Sequence, residues 1–77
     1  MRLLGSGDHY QTELLQADTV VECGTTVLHG EGAARFAPIA AWAQRAANVD
    51  GRTTMWRARQ GSRTVAEGVR TPDPSDS

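Results

Sequence analysis

Arg57, Arg59 and Arg63 fall within seven residues of one another, with Trp56 beside the first of them. Guanidinium groups make paired contacts with carboxylate or phosphate that an ammonium cannot reproduce. An indole can stack on an unpaired base or anchor a protein interface. In an extended segment residues 57 and 59 share one side of the strand, so the arginines converge on one face. Trp42 and Arg45 form a second pair, spaced three apart as neighbours on a helix surface. Trp56, Arg57, Arg59, Arg63, Trp42 and Arg45 are therefore the expected partner-binding residues.

Catalytic chemistry finds much less support. Cys23, His9 and His29 are the soft metal-ligand candidates, and none stands in the paired spacing of a zinc site. No metal and no cofactor are expected. Cys23 with His29 and Glu22 or Glu31 is the one nucleophile–base combination to weigh, and no spacing marks it out. Gly5-Ser6-Gly7-Asp8-His9 lacks the third glycine and the following helix of a phosphate loop. A chain of 77 residues also has little volume for a preformed substrate pocket. The reading is non-catalytic, with a small enzyme built on Cys23 as the third alternative.

The charges are sorted along the chain. Residues 1–34 carry Arg2 against five acids, a balance of −4, and residues 51–71 carry five arginines against Glu67, a balance of +4. There is no lysine, and the whole chain stands at −1. Such sorting points to a polar partner, a head-to-tail self-contact or internal neutralisation. A domain this small buries only about 60% of its unfolded surface, and its core supplies roughly 3–5 kcal/mol. Cys23 is the single cysteine, so no intrachain disulfide compensates. A homo-oligomer or a bound partner is a natural way to complete the core.

The elements that must position these residues follow from periodicity. His9–Leu15 alternates, with Tyr10, Thr12 and Leu14 on one side, and reads as a strand. Gln16-Ala17-Asp18 reads as a turn. Thr19–Cys23 and Thr25–His29 are β-branched runs interrupted by Gly24, which reads as a bulge in one bent strand or, alternatively, as a hairpin. Phe36, Ile39, Ala40, Ala43, Ala46 and Ala47 form one helical face bordered by Trp42. Pro38 suits the first turn, so the helix begins near Ala37, after an irregular turn, and ends around Asn48 and Asp50-Gly51. Residues 52–59 and 63–70 read as a hairpin about Gly61-Ser62, with Arg59 opposite Thr64, Arg57 opposite Ala66 and Met55 opposite Gly68; Trp56, Ala58, Val65 and Val69 then share the opposite face with Glu67, and that face is apolar enough to take the helix.

The expected architecture is α+β: one helix packed on a four- to five-stranded antiparallel sheet, in the order β-β(-β)-α-β-β. Residues 1–70 form one small domain, and 71–77 form a disordered tail. The expected function is a small non-catalytic protein-binding module, of the inhibitor or accessory type found in phages and mobile elements. The alternative is a nucleic-acid-binding accessory protein using the arginine-rich hairpin 52–70, although a pI near 6.0 weighs against it. No stretch approaches the length of a membrane span and no apolar leader is visible, so no membrane partner and a cytoplasmic location are expected.

Overall fold

The computed structural model describes residues 7–74. Strands β1 (Asp8–Gln16) and β2 (Thr19–Leu28) are followed by a 3-10 turn (Ala33–Phe36) and helix α1 (Ala37–Asp50). Strands β3 (Thr54–Gln60) and β4 (Arg63–Arg70) follow α1. The strands form one antiparallel sheet in the order β2-β1-β3-β4, with α1 packed over β3 and β4. This is the expected strand-strand-helix-strand-strand architecture, with four strands rather than five. Gly24 does not divide β2; it pairs in register with Thr12.

The bulge expected at Gly24 lies three residues earlier. Leu14 pairs with Glu22 and Leu15 with Val20, which leaves Val21 as the extra residue. The β1–β2 turn explains why the strands begin where they do. Ala17 and Asp18 both take positive φ, 52° and 64°, as a two-residue turn matched to strand twist requires. Aspartate tolerates that conformation, whereas alanine is strained in it.

The helix behaves as its sequence dictates. Pro38 sits in the first turn, where it forfeits no hydrogen bond. Asn48 stays inside the helix, and Gly51 ends it in the left-handed conformation with φ 64°, its N–H donating to the Ala47 carbonyl. Phe36, Ile39, Ala43 and Ala47 are buried, with Ala40, Trp42 and Ala46 half-buried beside them.

The core is the meeting of that helical face with alternate residues of the sheet: Tyr10 and Leu14 of β1, Leu28 of β2, and Trp56 and Ala58 of β3. Phe36 is its hinge pin. Its ring meets Tyr10 edge-on at 5.5 Å and stacks near Trp56 at 6.1 Å, contacts that add to area burial. Small residues elsewhere make this possible. A Cβ at Gly68 would stand 2.6 Å from Trp56 Nε1, so the indole lies flat against the backbone of β4.

Two polar clusters close the ends of the layer. Buried Gln16 donates from Nε2 to Asp50 Oδ2 at 2.8 Å and to Thr54 Oγ1 at 3.1 Å. The Thr54 hydroxyl donates in turn to the Arg52 carbonyl at 3.1 Å. At the helix flank, Arg70 Nε donates to Gln44 Oε1, and Gln44 Nε2 donates to the Thr71 carbonyl. The Asp73 N–H donates to Asn48 Oδ1. Residues 71–74 of the expected tail thus run along α1; residues 75–77, like Gly5 and Ser6 of the glycine-rich turn, lie outside the described residues.

Candidate interaction surface

The arginine hairpin forms, with a register of its own. Gly61 takes φ 63° at the first turn position, and Gln60–Arg63 and Arg59–Thr64 pair as expected. Beyond them Ala58 pairs with Ala66, Arg57 with Glu67, Trp56 with Gly68 and Met55 with Val69, so Val65 is bulged out. The expected pairing of Arg57 with Ala66 and Met55 with Gly68 is displaced by one residue. A one-residue slip turns every following side chain to the opposite face. Glu67 and Val69, both expected on the helix side, are carried instead onto the outer face, beside Arg57 and Met55.

That outer face is a strip of paired charges. Glu13 of β1 lies opposite Arg57 of β3, and its Oε1 is 3.5 Å from Arg57 Nη1 and 3.9 Å from Arg59 Nη1. Glu67 Oε2 lies 3.9 Å from Arg57 Nε. Arg59 also donates from Nη2 to the Ser62 carbonyl. Each contact is half-exposed and individually weak, yet together they lower the positive potential that a phosphate would meet. Leu15 and Met55 continue the face toward the other end, where their backbones pair.

The remaining expected site residues disperse. Trp56 faces α1 and is 8% exposed, so it is a core residue and not a surface anchor. Arg63 pairs with Gln60, the alternate position to Arg59, and therefore stands at the sheet tip on the other side. It is exposed, as is Arg45, and neither has an ion pair within 4 Å among the described residues. Trp42 alone combines position and partial exposure. It is half-buried against the core and borders two surface depressions.

The first depression is the notable one. Because α1 lies over β3 and β4, the inner face of β2 is left open from Glu22 to Thr26, and only its Leu28 end is buried. Trp42, Ile39 and Pro38 wall a groove of about 240 Å³ whose floor is Thr12, Gly24, Thr25 and Thr26. Drug-sized ligands occupy enclosed pockets of roughly 300–1,000 Å³; this groove is smaller, open and mainly apolar, and suits one or two protruding side chains. On the far side of Trp42 a second depression carries Glu22, Arg45, Ala46, Val49 and Asp50.

Cys23 is exposed on the outer face, paired with Glu13. His29 follows the end of the same continuous strand, six residues on, and an extended chain spans about 20 Å over that distance. No nucleophile–base contact forms between them. No group of three or more His, Cys, Asp or Glu side chains able to hold a metal occurs among the described residues. No helix among them is long and apolar enough to cross a membrane.

That one helix covers only part of its sheet follows from the sequence; that the uncovered part is β2 is what sequence reasoning missed. The signal was present in the run Thr19–Leu28, which holds four large aliphatic residues and the single charge Glu22. Its meaning depended on knowing that β2 stands at an edge. Compared with known proteins, the chain matches no family model, no curated sequence and no solved structure.

Proposed function

We propose that the chain is a small non-catalytic protein-binding module, and that its partner places an apolar side chain in the groove beneath Trp42. The observation that carries this reading is the groove itself: an aromatic and aliphatic wall over a floor of glycine and threonine, left open by a helix displaced to one side of its sheet. A tryptophan packed at the rim of an apolar depression has the character of an interface anchor. Arg45, exposed on the same flank, supplies a polar rim to that surface. The hairpin arginines support a nucleic-acid reading poorly, because Glu13 and Glu67 already stand within 4 Å of them.

Gly24→Val provides the test. A Cβ at Gly24 meets only Thr12 Oγ1, at 3.6 Å, so the strand accepts valine while its methyl groups fill the groove. Affinity capture from the native host compares the wild type, Gly24→Val, Trp42→Ala and the Arg57→Ala/Arg59→Ala double variant. A stoichiometric protein partner kept by the arginine variant and lost by the other two supports the reading. A partner indifferent to Gly24→Val and Trp42→Ala, or no partner at all, overturns it.

A further inference from the structure

We infer that the open edge of β2 is completed by the same strand of a second copy of the chain, the two strands pairing antiparallel about Gly24 to give one continuous eight-stranded sheet. The exposed apolar residues point there first. Of the five exposed large hydrophobic side chains among the described residues, Val20, Val21 and Val27 all lie on β2. A long, apolar edge strand carrying unpaired N–H and C=O groups is a template for another strand, and sheets normally blunt such edges with charge, proline or bulges. β4, the opposite edge, is protected in this way by the charges of Arg63, Glu67 and Arg70. β2 runs ten residues with no proline, no basic residue and only Glu22 charged. The bulged Val21 is the third residue of its strand, as Val65 is of β4, so charge and not a bulge separates the two edges.

The residue pattern of β2 is self-complementary about its centre. A two-fold axis at Gly24 sets Val21 against the partner's Val27, Cys23 against the partner's Thr25 and Glu22 against the partner's Thr26. The Val21–Val27 pairing occurs twice, and β-branched cross-strand pairs are stabilising. The two Glu22 carboxylates end up four residues apart along the seam, about 14 Å, beyond the screening length at physiological salt. A net charge of −1 adds little repulsion.

The position of α1 makes room for the second copy. An antiparallel two-fold pairing within one sheet places both helices on the same face. From β3 of one copy to β3 of the other is five strand spacings, about 24 Å, against a helix diameter of about 10–12 Å. The helices therefore clear one another. Between them runs a trough floored by both β2 strands, with a Trp42 groove on each side. Self-pairing does not depend on what occupies that trough, so it stands or falls separately from the partner reading.

Sedimentation velocity and light scattering test it directly. The wild type should show twice the 8.3 kDa monomer mass, and the mass should persist when ionic strength is raised, because this register sets no opposite charges against one another across the seam. Val27→Lys should weaken the dimer at least tenfold, whereas Val69→Lys, on the β4 edge, should leave it intact. Circular dichroism confirms that both variants remain folded. Thr25→Cys supplies the register: under an added thiol oxidant its new thiol should couple to the Cys23 of the other copy and give a covalent dimer on denaturing gels. A monomer at millimolar concentration, a dimer dispersed by salt, or one indifferent to Val27→Lys overturns the inference. A monomeric protein that still captures a partner through Trp42 would overturn it while leaving the binding reading in place.

Discussion

Arg57 and Glu67 stand directly opposite one another across β3 and β4, with Nε and Oε2 3.9 Å apart, because Val65 is bulged out of the ladder between them and the turn. Without that bulge Arg57 would face Ala66, and Glu67 would point toward the helix. Glu13 approaches the same guanidinium from β1. The positive half of the sequence is thus neutralised in part by one acid of its own hairpin and one from the negative half.

Glu13 is the acid shared by both hairpin arginines. Glu13→Gln should therefore raise affinity for duplex DNA or heparin at low salt, with a steeper dependence of log K on log salt. Stability should fall by no more than about 1 kcal/mol, since the pairs are half-exposed. Equal retention of wild type and variant on a heparin column would show that the acid does not mask the arginines.

Gly68 is fitted to Trp56. Gly68→Ala would set a methyl group 2.6–2.9 Å from three atoms of the buried indole, and overpacking of that kind costs about 1–3 kcal/mol. The urea midpoint should drop accordingly. An unchanged midpoint would mean that the indole shifts freely.

Thr54 is completely buried and bonded through its hydroxyl to both Gln16 and Arg52. Thr54→Val keeps the shape and removes both bonds, leaving the buried Gln16 amide with Asp50 but without Thr54 as acceptor, and the Arg52 carbonyl without the hydroxyl. A loss of about 1–3 kcal/mol is expected. Thr54→Ser, which keeps the hydroxyl, should recover part of it in the same unfolding assay.

Ala17 is held at φ 52° in the β1–β2 turn. Ala17→Gly relieves a conformation that costs an L-residue roughly 1–2 kcal/mol, offset by glycine's greater unfolded-state entropy. A net gain of about 0.5–1 kcal/mol should appear as a higher melting temperature. A lower one would place the strain elsewhere.

Much of the fold was legible because it rests on local pattern. The alternation of Tyr10, Thr12 and Leu14, the apolar stripe from Phe36 to Ala47 and the punctuation by Pro38, Gly51 and Gly61 each report on a few neighbouring residues. The position of the β2 bulge and the existence of the β4 bulge escaped because both are decided between strands. Val21 and Val65 are ordinary strand residues, and nothing in their own neighbourhoods announces that they stand outside the ladder. Trp56 is expected among the partner-binding residues because of the arginines beside it, although the hairpin pattern already sets it with Ala58 on the face that takes the helix; the structure keeps that face and buries the indole in it.

The sequence by itself determined the α+β order, the helix and its ends, the hairpin turn and the presence of an arginine-bearing face, since each follows from propensity and periodicity. Only the tertiary structure decided which strands lie at the edges, how far the helix reaches across the sheet, and which acids stand beside which arginines. Those outcomes depend on register and on the packing of Phe36 between Tyr10 and Trp56, which are relations between distant segments. They move the candidate surface from the arginine face, where charges are paired, to the uncovered strand beside Trp42.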